Sequence, residues 1–375
     1  MAIITNLPVP YRLALFRGLS ERLQEVGAGL RVFFLASPPA ERSWLVSSRE
    51  FGFEHEFLRG LAIPARRRRP VAPLALGQRL RAYAPTMVVA AGFSPLVASR
   101  AARHAGRAGV PFGIWSGEIA ATRSGASKLR RLQRARLLKR ADFGIAYGSL
   151  AERFLLGLAA DLPVVIGRNT SIASNGPVGT GAKNASRRTV ELLTVGDLAS
   201  DRKGTDILID ALALRPDIGC RLTVVGDGRK RAAFERRAAG DSRIRFVGGI
   251  SGAELHTLYA ASDIFLFPSR QDVFGLVLVE AMGAGLAAAV SASPGAVSDL
   301  AVPERNCLLV STNEAREWAG AIGRLVEQPD LRERLGQAGT ATVRRRWTIQ
   351  HATDAMVAGL RLGLLAAAGP KGRAG

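Results

Sequence analysis

Residues 267–285 have the sequence FPSRQDVFGLVLVEAMGAG, in which the end of a strand-like run, a polar loop and a helix-like run follow one another directly. The apolar residues that end at Pro268 predict a buried strand, and the apolar run from Leu276 predicts a helix. A helix that begins just after such a loop presents unpaired backbone N–H groups and the positive end of its dipole. This arrangement suits a phosphate group or an oxygen-rich sugar.

The same alternation of short apolar runs and longer helical patterns continues along most of the 375 residues. It predicts an α/β fold with parallel sheets covered by helices on both faces. Residues 174–188 (SNGPVGTGAKNASRR) are rich in Gly, Ser and Asn, which indicates a linker. We therefore predict two doubly wound, Rossmann-like domains facing each other across a cleft, residues 1–175 and 189–345, followed by a C-terminal helix, residues 346–368, that could pack on either domain.

The composition is that of a globular but strongly basic chain. Hydrophobic residues make up 47% of the sequence and the formal net charge is +21, which excludes a mainly disordered protein. Residues 1–180 carry 26 basic against 10 acidic side chains, whereas residues 181–375 carry 26 against 21. The excess in the first half indicates a phosphorylated ligand, an anionic membrane or nucleic acid as partner, unless it reflects only a general drift towards arginine.

Cysteine and histidine usage give no sign of a disulfide framework or a metal site. The chain has only Cys220 and Cys307, and its four histidines form no ligand cluster, so we expect a reducing compartment and no metal. The first residues lack a basic segment followed by an apolar stretch, and no run is apolar enough to cross a bilayer. We expect a cytoplasmic protein, either free or at the inner face of the cytoplasmic membrane.

Five segments of the second half occur in the order seen in one enzyme family. They are residues 194–204 (TVGDLASDRKG), 222–228 (LTVVGDG), 245–248 (RFVG), 258–269 (LYAASDIFLFPS) and 267–280. Together they resemble the retaining glycosyltransferases of the GT-B fold, glycosyltransferase family 4 (glycosyl transferases group 1) in particular. The resemblance implies a hexosyltransferase that uses a nucleotide-sugar donor bound by the second domain.

The resemblance also implies roles for individual residues. Lys203 corresponds to the lysine that contacts the donor diphosphate, Asp272 to the acid that contacts the transferred sugar, and Glu280 to the glutamate that accepts hydrogen bonds from the ribose hydroxyls. In this family the leaving diphosphate oxygen is thought to deprotonate the acceptor, so no separate base, metal or cofactor is required. Further donor contacts are predicted at Gly196, Gly226, Gly248, Ser269, Arg270, Phe274, Gly275, Leu276 and Val277.

At three positions the sequence departs from the family pattern, and one of them is Asp272, which is one carbon shorter than the usual glutamate. Asp197 stands where the family usually has an arginine, and an acid there would repel a diphosphate. We therefore predict a clamp of Lys203 with Arg202 or Arg270, and we assign Lys203, Arg202 and Asp272 to catalysis. The family's mid-domain histidine is also absent from residues 114–118. These departures leave a GT-B-fold nucleotide-sugar epimerase and a non-catalytic binding relative as alternatives.

The first domain is predicted to hold the acceptor. Residues 6–12 (NLPVPYR) follow the first strand and resemble a variant of the family's loop at that place. We predict that Asn6, Pro10, Tyr11 and Arg12 line the cleft together with Glu118; the alternative is an ordinary strand-to-helix turn and a solvated loop acid. The resemblance implies a glycan acceptor, lipid-linked or phosphate-bearing, in envelope or polysaccharide biosynthesis.

Residues 128–140 (KLRRLQRARLLKR) contain seven cations with four interleaved leucines. As a helix they would form a partly apolar stripe flanked by cations, which suits an anionic membrane surface at about 1 kcal/mol per cation. Packing through the leucines on a solvated surface is the alternative, and no nucleic-acid partner is expected because aromatic residues for base stacking are absent there. The predicted membrane contacts are Lys128, Arg130, Arg131, Arg134 and Lys139.

Overall fold

The structure of the protein, a computed structural model, describes residues 1–35, 51–58, 61–62, 71–120, 128–171, 189–250 and 252–368. The chain forms two compact units. The first unit comprises Met1–Asn169 and Ile349–Gly375, and the second comprises Thr170–Thr348. The N-terminal part of the first unit ends at Asn169, whereas the sequence placed the boundary at residue 175. The predicted linker at residues 174–188 lies outside the described residues.

The first unit is built on a seven-stranded parallel sheet. Its described elements are β1 (Ala2–Thr5), α1 (Pro10–Gln24), β2 (Arg31–Phe34), β3 (Glu54–Phe57), an antiparallel pair β4 (Leu61–Ala62) and β5 (Val71–Ala72), α2 (Leu76–Tyr83), β6 (Val88–Ala91), α3 (Pro95–Ala108), β7 (Phe112–Ser116), α4 (Lys128–Leu138), β8 (Phe143–Ala146), α5 (Ser149–Leu156) and β9 (Val164–Ile166). The strand order is β3-β2-β1-β6-β7-β8-β9. Because the order runs outward in both directions from β1, the topological switch point lies between β1 and β6.

Local sequence explains these elements. In α3 the buried residues recur at helical spacing, and Pro95 begins the helix while Gly109 ends it with a left-handed φ of 68°. The strands β1, β7 and β8 are buried throughout, as expected for parallel strands covered on both faces. Strand β3 (EHEF) was not predicted, because its residues are mostly polar and it pairs at the edge of the sheet.

The second unit repeats the plan with six parallel strands. Its elements are β10 (Val190–Val195), α6 (Thr205–Ala213), β11 (Cys220–Val225), α7 (Arg231–Arg237), β12 (Ile244–Gly248), α8 (Gly252–Ala261), β13 (Ile264–Phe267), α9 (Leu276–Gly283), β14 (Ala287–Ser291), α10 (Val297–Leu300), β15 (Leu308–Val310), α11 (Ala315–Glu327) and α12 (Pro329–Arg346). The strand order is β12-β11-β10-β13-β14-β15. The switch point of this sheet lies between β10 and β13, which pair through Leu192 and Ile264.

The last helix, α13 (Ile349–Ala368), belongs to the first unit. Its buried residues Ala352, Met356 and Leu360 join the core formed by the first strands, which includes Ile3 and Phe16. Arg22 of α1 also donates to Asp354 at 2.8 Å. In the described part of the chain no helix is both long and apolar enough to cross a membrane.

Candidate functional site

The candidate site of the second unit lies where the loops after β10 and β13 leave the sheet, at its switch point. Open α/β sheets bind ligands at this place because the loops diverge and leave a crevice. Two glycines bring the loops of neighbouring strands together. A side chain at Gly226, whose φ is 143°, would place its Cβ 1.8 Å from the carbonyl oxygen of Gly196, and a Cβ at Gly196 would lie 2.9 Å from Cγ of Lys203. The absence of a side chain at Gly196 therefore makes room for the aliphatic part of the Lys203 side chain.

A single 3-10 turn, Asp201–Lys203, orients Lys203, and the loop after β13 holds this turn in place. Gly204 ends the turn with a φ of 74°, and a Cβ there would lie 2.1 Å from the carbonyl oxygen of Pro268. The backbone N–H of Arg270 donates to the carbonyl of Arg202 at 2.9 Å. The two loops that carry the predicted residues are thus fixed against each other by backbone contacts.

Lys203 and Asp272, predicted to bind the diphosphate and the transferred sugar, form an ion pair with each other. Each side chain is 15% exposed, so both charges are largely removed from water. In such a place a charge is costly unless it has a partner. The pair therefore keeps a cation and an anion side by side at the switch point. A ligand with both phosphates and hydroxyls could replace their contact, since its phosphates would pair with the cation and its hydroxyls with the anion.

The two other cations of the predicted clamp also have acidic partners. Arg202 pairs with Asp197 and donates to the carbonyl of Gln271 at 3.0 Å. Arg270 forms two hydrogen bonds with Asp206, at 2.8 and 2.7 Å. Asp197, the acid that replaces the family's arginine, is thus neutralised by a neighbouring arginine. A diphosphate would have to compete with carboxylates for all three cations.

Glu280 lies on α9 and both of its carboxylate oxygens accept hydrogen bonds. The Ser171 hydroxyl donates to Oε1 at 2.6 Å and the Tyr259 hydroxyl donates to Oε2 at 2.9 Å. Burial raises the pKa of Glu280, and the two hydrogen bonds oppose this shift. Since each carboxylate oxygen has two lone pairs, the group can still accept from ribose hydroxyls. Sequence reasoning assigned no role to Ser171 or to Tyr259, although Tyr259 lies within residues 258–269, one of the segments that carry the resemblance.

The start of α9 is shaped by Phe274 and Gly275. Gly275 has a φ of 96°, and Phe274 is buried with its ring 5.5 Å from that of Trp347. The side chain of Phe274 therefore packs inside the unit, and only its backbone is left for a ligand. The N–H groups of Leu276 and Val277 lie in the first turn of α9, where a helix leaves donors unpaired.

Ser269 is a correction to the predicted donor contacts. It is fully buried, and its hydroxyl lies 3.3 Å from the carbonyl of Arg202 and 3.1 Å from that of Gln271. Its side chain therefore supports the loop from within and does not face a ligand. The prediction failed because a serine next to a motif looks the same in the sequence whether it points inward or outward.

In the first unit, the predicted acceptor residues follow β1. Asn6 is exposed, Pro10 is the first residue of α1 and Tyr11 is half-buried. Arg12 is held by hydrogen bonds to the hydroxyls of Thr5 and Tyr147, and its guanidinium lies 4.9 Å from the ring centre of Trp115. Its partners are neutral groups at the carboxyl ends of β1, β7 and β8.

Glu118 and Arg134 form a partly buried ion pair, with 3.0 Å between Oε2 and Nε. Arg134 was predicted to contact a membrane, and this prediction is wrong because its side chain is only 10% exposed. The leucines of α4 are divided as well: Leu137 and Leu138 are buried, whereas Leu129 and Leu132 are exposed. The other predicted membrane contacts are exposed at Lys128, Arg130, Arg131 and Lys139.

Within the described residues, no group of three or more His, Cys, Asp or Glu side chains is arranged to hold a metal ion. Cys220 and Cys307 are buried free thiols, and burial raises the pKa of each to about 11. They are therefore protonated at neutral pH. Independence of metal stays a prediction.

Comparison with known proteins links the second unit to one family. Residues 189–328 match the family described as Glycosyl transferases group 1. D-inositol 3-phosphate glycosyltransferase of Pseudarthrobacter chlorophenolicus is 32% identical over 145 residues, which cover 36% of this chain and 34% of that protein. Sulfoquinovosyl transferase SQD2 of Arabidopsis thaliana is 29% identical over 140 residues, covering 36% of this chain and 26% of that protein. The chain thus matches about a third or less of these relatives' length.

Solved structures resemble the chain over nearly its whole length. Sucrose-phosphate synthase of Thermosynechococcus elongatus superposes with a TM-score of 0.76 at 20% identity, over 98% of this chain and 100% of that one. HepE of Anabaena, in complex with UDP, gives 0.75 at 18% identity, over 96% and 100%. Together with the two Rossmann-like parallel sheets, these likenesses confirm the predicted GT-B fold, and the match to the family described as Glycosyl transferases group 1 falls within its second unit.

Proposed function

We propose that the chain is a retaining glycosyltransferase of family 4 that moves a hexosyl group from a nucleotide-sugar to an acceptor. One observation carries the proposal: the Lys203–Asp272 pair lies at the switch point of the glycosyl transferases group 1 domain, between the loops after β10 and β13. The named relatives are glycosyltransferases, and Anabaena HepE is described with UDP and with UDP-glucose. UDP-sugars are therefore the first donors to test.

In this mechanism the bound donor replaces the contact between Lys203 and Asp272. The Lys203 ammonium leaves Asp272 and binds the diphosphate, where it stabilises the charge that develops as the sugar–oxygen bond breaks. Asp272 then accepts hydrogen bonds from hydroxyls of the sugar, and Glu280 accepts from the ribose. The first N–H groups of α9 add a partial positive charge beside the phosphates.

The transfer step needs no base from the chain. The bond between the anomeric carbon and the diphosphate oxygen breaks, and the acceptor oxygen bonds to the same carbon on the same face. Because attack and departure take place on the same face, the configuration is retained. The acceptor proton passes to the departing diphosphate oxygen. Lys203 and the start of α9 act on the leaving group, which is where charge accumulates.

The proposed acceptor is a lipid-linked or phosphate-bearing glycan in envelope or polysaccharide biosynthesis. The surplus of basic side chains in residues 1–180 supports an anionic acceptor, an anionic membrane surface, or both. The relatives named for D-inositol 3-phosphate act on a phosphorylated acceptor. We propose that the protein works in the cytoplasm, at the inner face of the membrane, without a metal.

The test is incubation with UDP-, GDP- and dTDP-sugars, with and without EDTA, followed by NMR of the products. We expect transfer or hydrolysis of at least one donor, unchanged by EDTA, with the anomeric configuration retained. Lys203→Met should abolish turnover, whereas Lys230→Met should not, because Lys230 pairs with Asp201 and not with Asp272 and its side chain is 41% exposed.

Three outcomes would contradict the proposal. An inverted product would exclude the retaining mechanism. Interconversion of UDP-sugars without transfer would favour the epimerase. UDP binding without turnover of any donor would favour a non-catalytic binding protein.

A further inference from the structure

The first unit contains a pocket of about 650 Å³ at its own switch point. Asn6 after β1 and Ala91–Ser94 at the end of β6 form one wall, and residues of α4 and of the turn that follows it form the other. This pocket has the same position relative to the first sheet as the candidate donor site has relative to the second sheet. Each lies after the two neighbouring strands between which the strand order reverses. A volume of this size holds a small molecule, for which about 300–1,000 Å³ is usual.

The α4 wall of the pocket is strongly basic. Four arginines line it, Arg130, Arg134, Arg136 and Arg140, and Glu118 is the one acid among the described lining residues. Glu118 is already paired with Arg134 at the buried side of the pocket. The three exposed arginines therefore give the pocket a net positive charge.

The partly buried pair holds Glu118 in a fixed position. Arg134 lies against the ring of Phe93 at 5.7 Å and against Glu118 at 3.0 Å. The backbone N–H of Glu118 donates to the Ser116 hydroxyl at 3.1 Å. Because each carboxylate oxygen has two lone pairs, a carboxylate that is already paired can also accept from hydroxyl groups of a ligand. The pocket thus offers hydroxyl acceptors on its inner side and guanidinium groups at its mouth.

We propose that this pocket binds a phosphorylated, hydroxyl-rich molecule. The exposed arginines Arg130, Arg136 and Arg140 contact the phosphate, because planar guanidinium groups bind phosphate oxygens in pairs. Glu118 accepts hydrogen bonds from the hydroxyls, together with Asn6 and Ser94, which line the same pocket. The identification of this molecule as the sugar acceptor rests on the proposed function; the binding site itself does not.

The structure divides the six exposed cations of residues 128–140 into two sets. The pocket set, Arg130, Arg136 and Arg140, lines the cavity; the outer set, Lys128, Arg131 and Lys139, does not. Both sets are exposed and carry three positive charges. Replacing either set by glutamine removes the same charge from the same segment, so each triple variant is a matched control for the other.

The experiment is isothermal titration of the full chain with glucose 6-phosphate, inorganic phosphate and glucose at low and physiological salt. We expect glucose 6-phosphate to bind more tightly than phosphate, and glucose not to bind measurably. The pocket triple R130Q/R136Q/R140Q should weaken glucose 6-phosphate at least tenfold, and the outer triple K128Q/R131Q/K139Q less than twofold. Glu118→Gln should reduce the preference for glucose 6-phosphate over phosphate.

Several results would overturn this site. They are no binding of either phosphate, unchanged binding by the pocket triple, and an equal loss in both triples, which would indicate only general electrostatics. UDP titration keeps this proposal separate from the donor proposal, because the pocket triple should bind UDP as the wild type does.

Sedimentation with phosphatidylglycerol vesicles distinguishes the sources of the phosphate. Loss of vesicle binding in the pocket triple alone would identify a lipid headgroup as the ligand. Loss of vesicle binding in the outer triple alone would indicate that the outer set binds the membrane and that the pocket binds a soluble phosphate.

Discussion

Neutralising Lys203 and Asp272, singly and together, separates what their ion pair does for stability from what it does for donor binding. Removing one partner of a fully buried pair costs about 3–5 kcal/mol, and an exposed pair contributes about 0–1 kcal/mol. With both side chains 15% exposed, we expect Lys203→Met and Asp272→Asn each to lower the free energy of unfolding by about 1–3 kcal/mol. The double variant should recover most of this loss, because it leaves no charge without a partner.

The affinity for UDP should follow a different pattern. A hydrogen bond to a charged group contributes about 1.5–3 kcal/mol, so Lys203→Met should weaken UDP binding about 10- to 150-fold. Asp272→Asn removes the acid that competes for the ammonium, so UDP should bind equally well or up to about tenfold more tightly. The same variant should lose turnover, because Asp272 is proposed to contact the sugar. The double variant should bind UDP as weakly as Lys203→Met.

Urea unfolding followed by Trp fluorescence gives the stabilities, and isothermal titration with UDP and UDP-glucose gives the affinities. Lys230→Met is the matched control, because it also removes an aspartate-paired lysine from the same loop region. The reasoning fails if Lys203→Met binds UDP like the wild type. It also fails if Asp272→Asn weakens UDP as much as Lys203→Met does.

The remaining predictions concern three other positions of the second unit. Asp197→Arg introduces the arginine that the resembled family has at this position, and it frees Arg202 from its ion pair with Asp197. Isothermal titration should therefore show UDP binding about 3- to 10-fold more tightly. A weaker affinity would mean that Arg202 is needed in its present place. Gly204→Ala should lower the free energy of unfolding, measured with urea, by at least about 2 kcal/mol, because the new Cβ would lie 2.1 Å from a carbonyl oxygen. Gly109→Ala is the control and should lower it by less, because Gly109 has a similar φ of 68° but no neighbour within 4 Å of the new Cβ. Burial raises the pKa of Glu280 in the folded protein above the pKa of about 4.3 that it has in the unfolded chain. The stability that Glu280 contributes in its protonated form is therefore fully present below the unfolded-state pKa. It is lost as pH rises through the folded-state pKa. Relative to Glu280→Gln the wild type should therefore become less stable as pH rises above the unfolded-state pKa, and a pH-independent difference would contradict this.

The sheets were predictable from the sequence because their strands are continuous apolar runs. Strand β3 escaped because an edge strand with polar residues has no such run. The resemblance supplied Lys203 and Asp272, but not their contact, since they are 69 positions apart in the chain and nothing local pairs them.

The basic helix shows why side-chain direction could not be predicted. The cations of residues 128–140 look alike in the sequence, yet Arg134 is buried because Glu118, 16 positions away, lies beneath it. Likewise, Glu280 depends on Ser171, which is 109 positions away. Sequence patterns report a residue's own element, whereas these contacts depend on how separate elements meet.

The return of α13 to the first unit affects folding during synthesis. The core that contains Ile3 and Phe16 is closed by Ala352, Met356 and Leu360, which the ribosome adds only after the whole second unit. Multidomain chains usually fold from the N-terminus as each domain emerges. Here the second unit can fold completely while the first still exposes an apolar face. A nascent chain stalled before Ile349 should therefore be the species most dependent on chaperones.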